Sequence, residues 1–211
     1  MKFNKPTLVT LTAPTCSGKS YLLDRLVKLG FSQIVGTTTR DPRPGEREGA
    51  DYYFITMEQS IAMEAAGEFA EIAEFRGNRY GVTHAEMAKK LNSNLPPIVI
   101  LEPGGLADYE KYCTKHDWDI FKVFVTVTEK LKLERLNART VSDICESSTA
   151  ARKKIIETHT SRLLSITGDE RLWQARNTWD AIVPGDDVEK ALEMIAKGIE
   201  WRNSQNVQQT T

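Results

Sequence analysis

The chain has 211 residues, which suits one large domain or one domain with an inserted lobe. Its 40% apolar and 27% charged residues are ordinary for a soluble globular protein, and a formal net charge of −1 excludes a general nucleic-acid or membrane-surface binder. Cys16, Cys113 and Cys145 fit no metal-ligand pattern and read as reduced thiols of a cytoplasmic protein, and there is neither a signal-peptide apolar core nor a run near the ~20 residues of a membrane span.

The apolar run Thr7–Thr12 reads as a strand, and Tyr21–Leu29 as a helix that Gly30 ends. Between them lies Ala13-Pro14-Thr15-Cys16-Ser17-Gly18-Lys19-Ser20. Strand, tight loop and helix are the context of a phosphate-binding P-loop, whose inward N–H groups and helix N-terminus attract anions. Lys19 would reach the outer phosphates, and the Ser20 hydroxyl would ligate the magnesium ion that bridges them. The strict pattern begins with Gly, and here Ala13 stands first. If that position needs a positive φ, the extra Cβ costs roughly 1–2 kcal/mol; otherwise Ala is harmless.

Ser32–Val35 reads as a second short strand, and Gly36–Gly49, rich in Gly, Pro and Arg, as a stiffened loop. Arg40 and Arg43 lie three residues apart in it, and two guanidinium forks so braced suit a dianionic phosphate. Asp51–Ile55 is β-like and aromatic, and Met57–Ala66 reads as a helix stopped by Gly67. In Glu68–Phe75, period two places Phe69, Glu71, Ala73 and Phe75 on one face, with Glu71 in an otherwise apolar row. A carboxylate there needs hydrogen-bond donors. A ligand with adjacent N–H groups and an Arg from elsewhere in the fold serve equally well.

Gly77–Gly81 is a turn, and Thr83-His84-Ala85-Glu86 matches a capping box in which Glu86 reaches back to Thr83. Ile98–Leu101 is a central parallel strand, which puts Glu102 at a strand's C-terminal edge, where open α/β sheets bind ligands. A helix to about His116 and the strand Ile120–Val127 follow. Thr128–Ala138 is a helix capped by Thr128, with Arg135 and Arg139 on one face. Val141–Thr149 reads as a loop, and Ala150–Leu164 as a basic helix with Arg152, Lys153 and Lys154: a solvated face, or a lid over a nucleoside triphosphate. Ala181–Val183 is the last strand, and Asp186 or Asp187 caps a final helix to about Trp201. Ser204–Thr211 is expected to be a disordered tail.

Taken together, about Thr7 to Ile199 resembles the guanylate kinase family. The blocks that carry this are Thr37–Glu46 with Gly49, Asp51-Tyr52 and Phe54, then Gly67–Glu71 and Gly77–Gly81, in an ungapped run. The resemblance implies an α/β fold: a P-loop parallel-sheet core flanked by helices (1–35, 93–134 and 156–203), an inserted small monophosphate-binding lobe (36–92) and a helical lid (135–155). The implied activity is phosphoryl transfer from MgATP to GMP or dGMP. Arg40, Arg43, Tyr52 and Tyr80 would grip the monophosphate. Glu71 would accept hydrogen bonds from the guanine ring, and Glu102 would contribute to the guanine site. Arg135, Arg139 and Arg152 match lid arginines that neutralise the transferring group. The implied partners are nucleotides, with no nucleic acid and no membrane, for a monomer or homodimer.

Four departures bear on specificity. Ala13 and Cys16 replace P-loop glycines, Gly36 replaces a Ser near the monophosphate, and Ile100 replaces an acid. Val82 stands where the family has a Ser or Thr that donates to the guanine carbonyl, and neighbouring Thr83 could compensate only by giving up part of its capping role. A lost bond of that kind is worth roughly 1–3 kcal/mol, so a shifted base preference is one alternative. A guanylate kinase-like binding module without activity is another, favoured by Ile100 and opposed by Lys19 and Ser20. The P-loop also looks like that of tRNA prenyltransferases, which the downstream blocks oppose.

Overall fold

Thr7–Thr12 forms β1, and every one of its residues is buried because the strand lies between two parallel neighbours. In the computed structural model, the described residues are 1–43, 45–75, 77–91, 93–101, 105–166 and 178–208. α1 (Lys19–Lys28) lays Leu22, Leu23 and Leu26 on the sheet, and Gly30, at φ 97°, lets the chain turn back. β2 (Ser32–Gln33), β7 (Pro97–Leu101), β1, β8 (Asp119–Thr126) and β9 (Ala181–Pro184) then form one five-stranded parallel sheet in the order β2-β7-β1-β8-β9. α4 (Leu106–Lys115) and a last helix, α7 (Val188–Gln208), flank it. The fold is α/β, as expected.

Between β2 and β7 the chain makes a second sheet, β4-β3-β6-β5, from β3 (Thr37–Thr38), β4 (Tyr53–Phe54), β5 (Phe69–Phe75) and β6 (Asn78–Thr83). α2 (Met57–Ala65) and α3 (His84–Leu91) pack beside it. The reciprocal capping box is at Thr56 and Gln59 of α2. At α3 only half of the expected box forms. Thr83 Oγ1 accepts from Glu86 N at 3.2 Å, but the buried Glu86 carboxylate turns inward, accepting from Val35 N at 3.0 Å and from the Tyr53 hydroxyl at 3.4 Å. Lys90, at 3.7 Å, shares its charge. A tertiary partner has outcompeted the local one.

Other expectations are corrected as well: Thr37–Thr38, read as loop, is β3, and Asn78–Gly81, read as a turn, belongs to β6, because their backbones pair with each other and with β4 and β5. Val141–Thr149 is not a loop: α5 runs through Glu129–Glu146, and α6 (Thr149–Ile166) follows after a joint at Ser147. Packing of α5 on α6, including Thr140 Oγ1 against His159 Nδ1 at 2.6 Å, overrides the weak helix propensity of Ser and Thr. Nor does helix end at Trp201. α7 continues to Gln208, because Arg202 pairs with Asp180 and donates to Ile120 O at 2.9 Å, while Asn203 donates to Lys2 O and accepts from Asn4 N. Residues 209–211 lie outside the described set. Among the described residues, no helix is long and apolar enough to cross a membrane.

Candidate active site

The loop from Ala13 to Ser20 joins the C-terminal end of β1 to α1. Ala13 is buried in the core and does not need a positive φ, so its Cβ is harmless. The strain lies elsewhere. Cys16 adopts φ 60°, at a cost of roughly 1–2 kcal/mol, and Gly18 has φ 94°. Pro14 is buried, Thr15 half-buried and Ser20 exposed at the start of α1. Lys19 Nζ folds back on Ala13 O at 3.5 Å. The Ser17 hydroxyl is buried and unpaired among the described residues. Gly185, just after β9, presses so close that a Cβ would lie 1.9 Å from Ser17 O.

α5 reaches this loop from the other side. Arg135 donates to Cys16 O at 3.3 Å and to Gly185 O at 3.1 Å. One turn later, Arg139 comes close enough to a second cluster for its charge to act on Arg43. Arg43 is pushed down from its ordinary value by burial first, then by Arg40 and Arg139, as expected where cations converge with too few anions. Glu46 is the local counter-charge: its carboxylate takes two bonds from Arg40, at 2.8 and 3.0 Å, and one from Arg43 N at 2.7 Å. Burial would raise the Glu46 carboxyl, but the Arg40 bonds, the Arg43 N–H and the charges of both arginines together outweigh it and hold the group below its usual range. Arg40 also lies over Tyr52 at 5.3 Å and Phe54 at 5.8 Å, and Tyr52 meets Tyr80 edge-on at 6.2 Å. Its Nε is buried and has no partner among the described residues, which leaves one charged donor for an anion. Gly36 lies beside Tyr52, with room for a Cβ at 3.5 Å from the ring.

Glu71 sits on β5 next to a register shift between Phe69 and Glu71. This bulge interrupts the single apolar face expected from period two, and it re-aims the carboxylate. The Glu71 Oε1 lies 3.1 Å from where a Gly105 Cβ would be, so a side chain there would press the carboxylate aside by a few tenths of an ångström. Burial, then the charge of Asp108, raises the Glu71 carboxyl to about 7. Val82 is buried beside Met87, Leu106 and Tyr109 in one apolar cluster. Thr83 is half-buried and engaged as the α3 cap. Ile100 packs on the main core cluster, so that strand position presents no carboxylate.

The fold thus gathers the P-loop with Arg135, and Arg40, Arg43, Tyr52 and Tyr80 with Arg139. Arg152 is exposed on α6; two residues on, Lys154 reaches the loop after β3, pairing with Asp41 at 2.5 Å. Glu102 lies outside the described residues. Sequence reasoning missed Glu46, Gly185 and Asp41. Glu46 had a signal in its spacing from Arg40 and Arg43; the other two act across contacts with no local pattern.

A P-loop on a parallel sheet, an arginine-lined inserted sheet and arginines on a helical hairpin define a P-loop nucleoside monophosphate kinase. The guanylate kinase family model matches residues 5–202. The chain belongs to the guanylate kinase family, a family of ATP-dependent nucleoside monophosphate kinases. It is 32% identical to guanylate kinase of Rubrobacter xylanophilus over 88% of this chain and 89% of that one. With the Sus scrofa enzyme it shares 41% identity, over 50% of this chain and 55% of that one. The crystal structure of guanylate kinase from Anaplasma phagocytophilum has the same fold, with a TM-score of 0.65 over 96% of this chain and 89% of that one at 19% identity.

Proposed function

We propose that the protein transfers the γ-phosphoryl group of MgATP to GMP or dGMP, giving the nucleoside diphosphate and ADP. The observation that carries this is α5, which brings Arg135 to the Cys16 carbonyl of the P-loop and, one turn on, Arg139 toward Arg43. One helix thereby connects a triphosphate cradle to a cluster of guanidinium groups suited to a second phosphate. The divided plan of core, monophosphate lobe (36–92) and lid (135–155) fits that arrangement.

Phosphoryl transfer asks for positioning and charge neutralisation rather than covalent chemistry by the protein, so no general base is assigned. Backbone N–H groups from Thr15 to Gly18 and the Lys19 ammonium would hold the β- and γ-phosphates. A magnesium ion held here would supply charge neutralisation for the phosphates. The exposed Ser20 hydroxyl at the start of α1 suits it as protein ligand, and among the described residues no acidic cluster competes for the ion. Arg40, Arg43, Tyr52 and Tyr80 would hold the acceptor phosphate, with Glu46 yielding part of Arg40 to it. Arg135 and Arg139, with Arg152 supplied by α6 on closure, would stabilise the charge on the transferring group. Glu71 and Glu102 would read the base N–H groups. The site of action proposed is the cytoplasm, where thiols such as the free Cys16, Cys113 and Cys145 stay reduced.

A second reading, a shifted base preference, is favoured by Val82, which is buried and cannot donate. Steady-state kinetics of Arg40→Ala test the main proposal. Loss of a charged, bidentate contact is expected to raise the GMP KM by about 10- to 100-fold. An unchanged KM would remove Arg40 from the acceptor site.

A further inference from the structure

Tyr109 has an unexplained hydroxyl. Its ring fills the apolar cluster that holds Val82, Met87 and Leu106, a task that Phe would perform equally well. Yet the side chain is 1% exposed and its hydroxyl has no hydrogen-bond partner among the described residues. A buried unpaired polar group is costly and rare enough to need a cause. Tyr109 shares a narrow recess with Ala70, Glu71, Met87, Asp108 and Tyr112. Burial, and next the charge of Glu71, raise the phenol well above its usual value, so it is a proton donor at any working pH.

Among the described residues, no hydrogen bond to the Glu71 carboxylate accounts for its burial. Asp108 is a like charge, itself paired with Lys111 at 3.2 Å. Tyr112 packs its ring against those of His116 and His84, with centroids at 4.4 and 6.4 Å. Met87 and Ala70 offer no polar side-chain atom. A carboxylate that must face ligand N–H groups with one oxygen needs its other oxygen held. The Tyr109 hydroxyl is an unpaired donor beside it.

We propose that Tyr109 is a positioning residue for base recognition, its hydroxyl donating to the Glu71 carboxylate so that the remaining lone pairs face the ring N–H groups of the acceptor. This rests on the reading of Glu71 as the base-binding carboxylate. It also offers a compensation for Val82: the bond lost at the carbonyl side of the base is balanced by a more tightly held acceptor on its N–H side.

The test compares wild type, Tyr109→Phe and Glu71→Gln in coupled ADP-release kinetics with GMP from pH 6 to 9, alongside thermal melts. Tyr109→Phe is expected to raise the GMP KM about tenfold at pH 7, with kcat within about twofold. The pH at which KM begins to climb should move up by about one unit, because the ionised carboxylate has lost its donor. The ligand-free melting temperature should stay level or rise, since an orphan hydroxyl has been removed. A KM and pH profile like the wild type's, with Glu71→Gln impaired, would overturn the proposal and leave the Glu71 reading intact. An unimpaired Glu71→Gln would overturn both. A Phe variant melting well below the wild type would assign the hydroxyl to the ligand-free fold and overturn the proposal as well.

Discussion

Between pH 6 and pH 8 the Glu71 carboxyl should change state. Burial and Asp108 raise it from 4.5 to about 7, so about one molecule in ten carries the carboxylate at pH 6 and about nine in ten at pH 8. Only the ionised form accepts two N–H bonds from a purine edge. The GMP KM should therefore fall about ninefold over this interval, apart from the acceptor phosphate's own titration near pH 6. Glu71→Gln separates the two effects, because it keeps the phosphate term and removes the carboxyl term. The ratio of variant to wild-type KM should then grow about ninefold from pH 6 to pH 8. Stability gives an independent reading. The folded state holds this proton more tightly than the unfolded one, so the stabilisation is fully present below about pH 4.5 and is lost as pH rises through about 7. The loss is on the order of 3 kcal/mol, and Glu71→Gln should melt several degrees higher than wild type at pH 8 but not at pH 4. A KM ratio that is flat with pH would refute the assignment of Glu71 to the base.

Gly185→Ala would place a Cβ 1.9 Å from Ser17 O and displace the P-loop; we expect a loss of about 1–3 kcal/mol by denaturant melt and at least a tenfold rise in the ATP KM. Cys16→Gly relieves a φ of 60° at a smaller entropic cost, so the melting temperature should rise by about 2–4 °C with kcat little changed. Val82→Thr restores a hydroxyl in a buried position and should raise the preference for GMP over AMP about tenfold, measured as a ratio of kcat/KM, while lowering ligand-free stability.

The core sheet was legible because its strands are short apolar runs bounded by breakers, and the P-loop because its spacing falls between a strand and a helix. Arg40 and Arg43 were legible from Pro-braced spacing. Glu71 stood out as a carboxylate in an apolar row, but its neighbours Asp108 and Tyr109 come from a helix that only the fold brings close. Local patterns failed where tertiary partners competed with them. The capping signal at Thr83 and Glu86 gave way to Val35 and Tyr53, and the polar 141–149 stretch became helix because α6 packs against it. The polar C-terminal segment stayed helical because Asn203 and Arg202 are tied to the N-terminus and to β8. No periodicity encodes such contacts.

ATP turnover with each common ribo- and deoxyribonucleoside monophosphate as acceptor, followed by coupled ADP release with Lys19→Ala as control, tests the central claim most directly. The expected result is turnover with GMP and dGMP, abolished in the control. Turnover confined to another base would contradict the proposed acceptor, and a folded protein that binds GMP without turnover would contradict the proposed reaction.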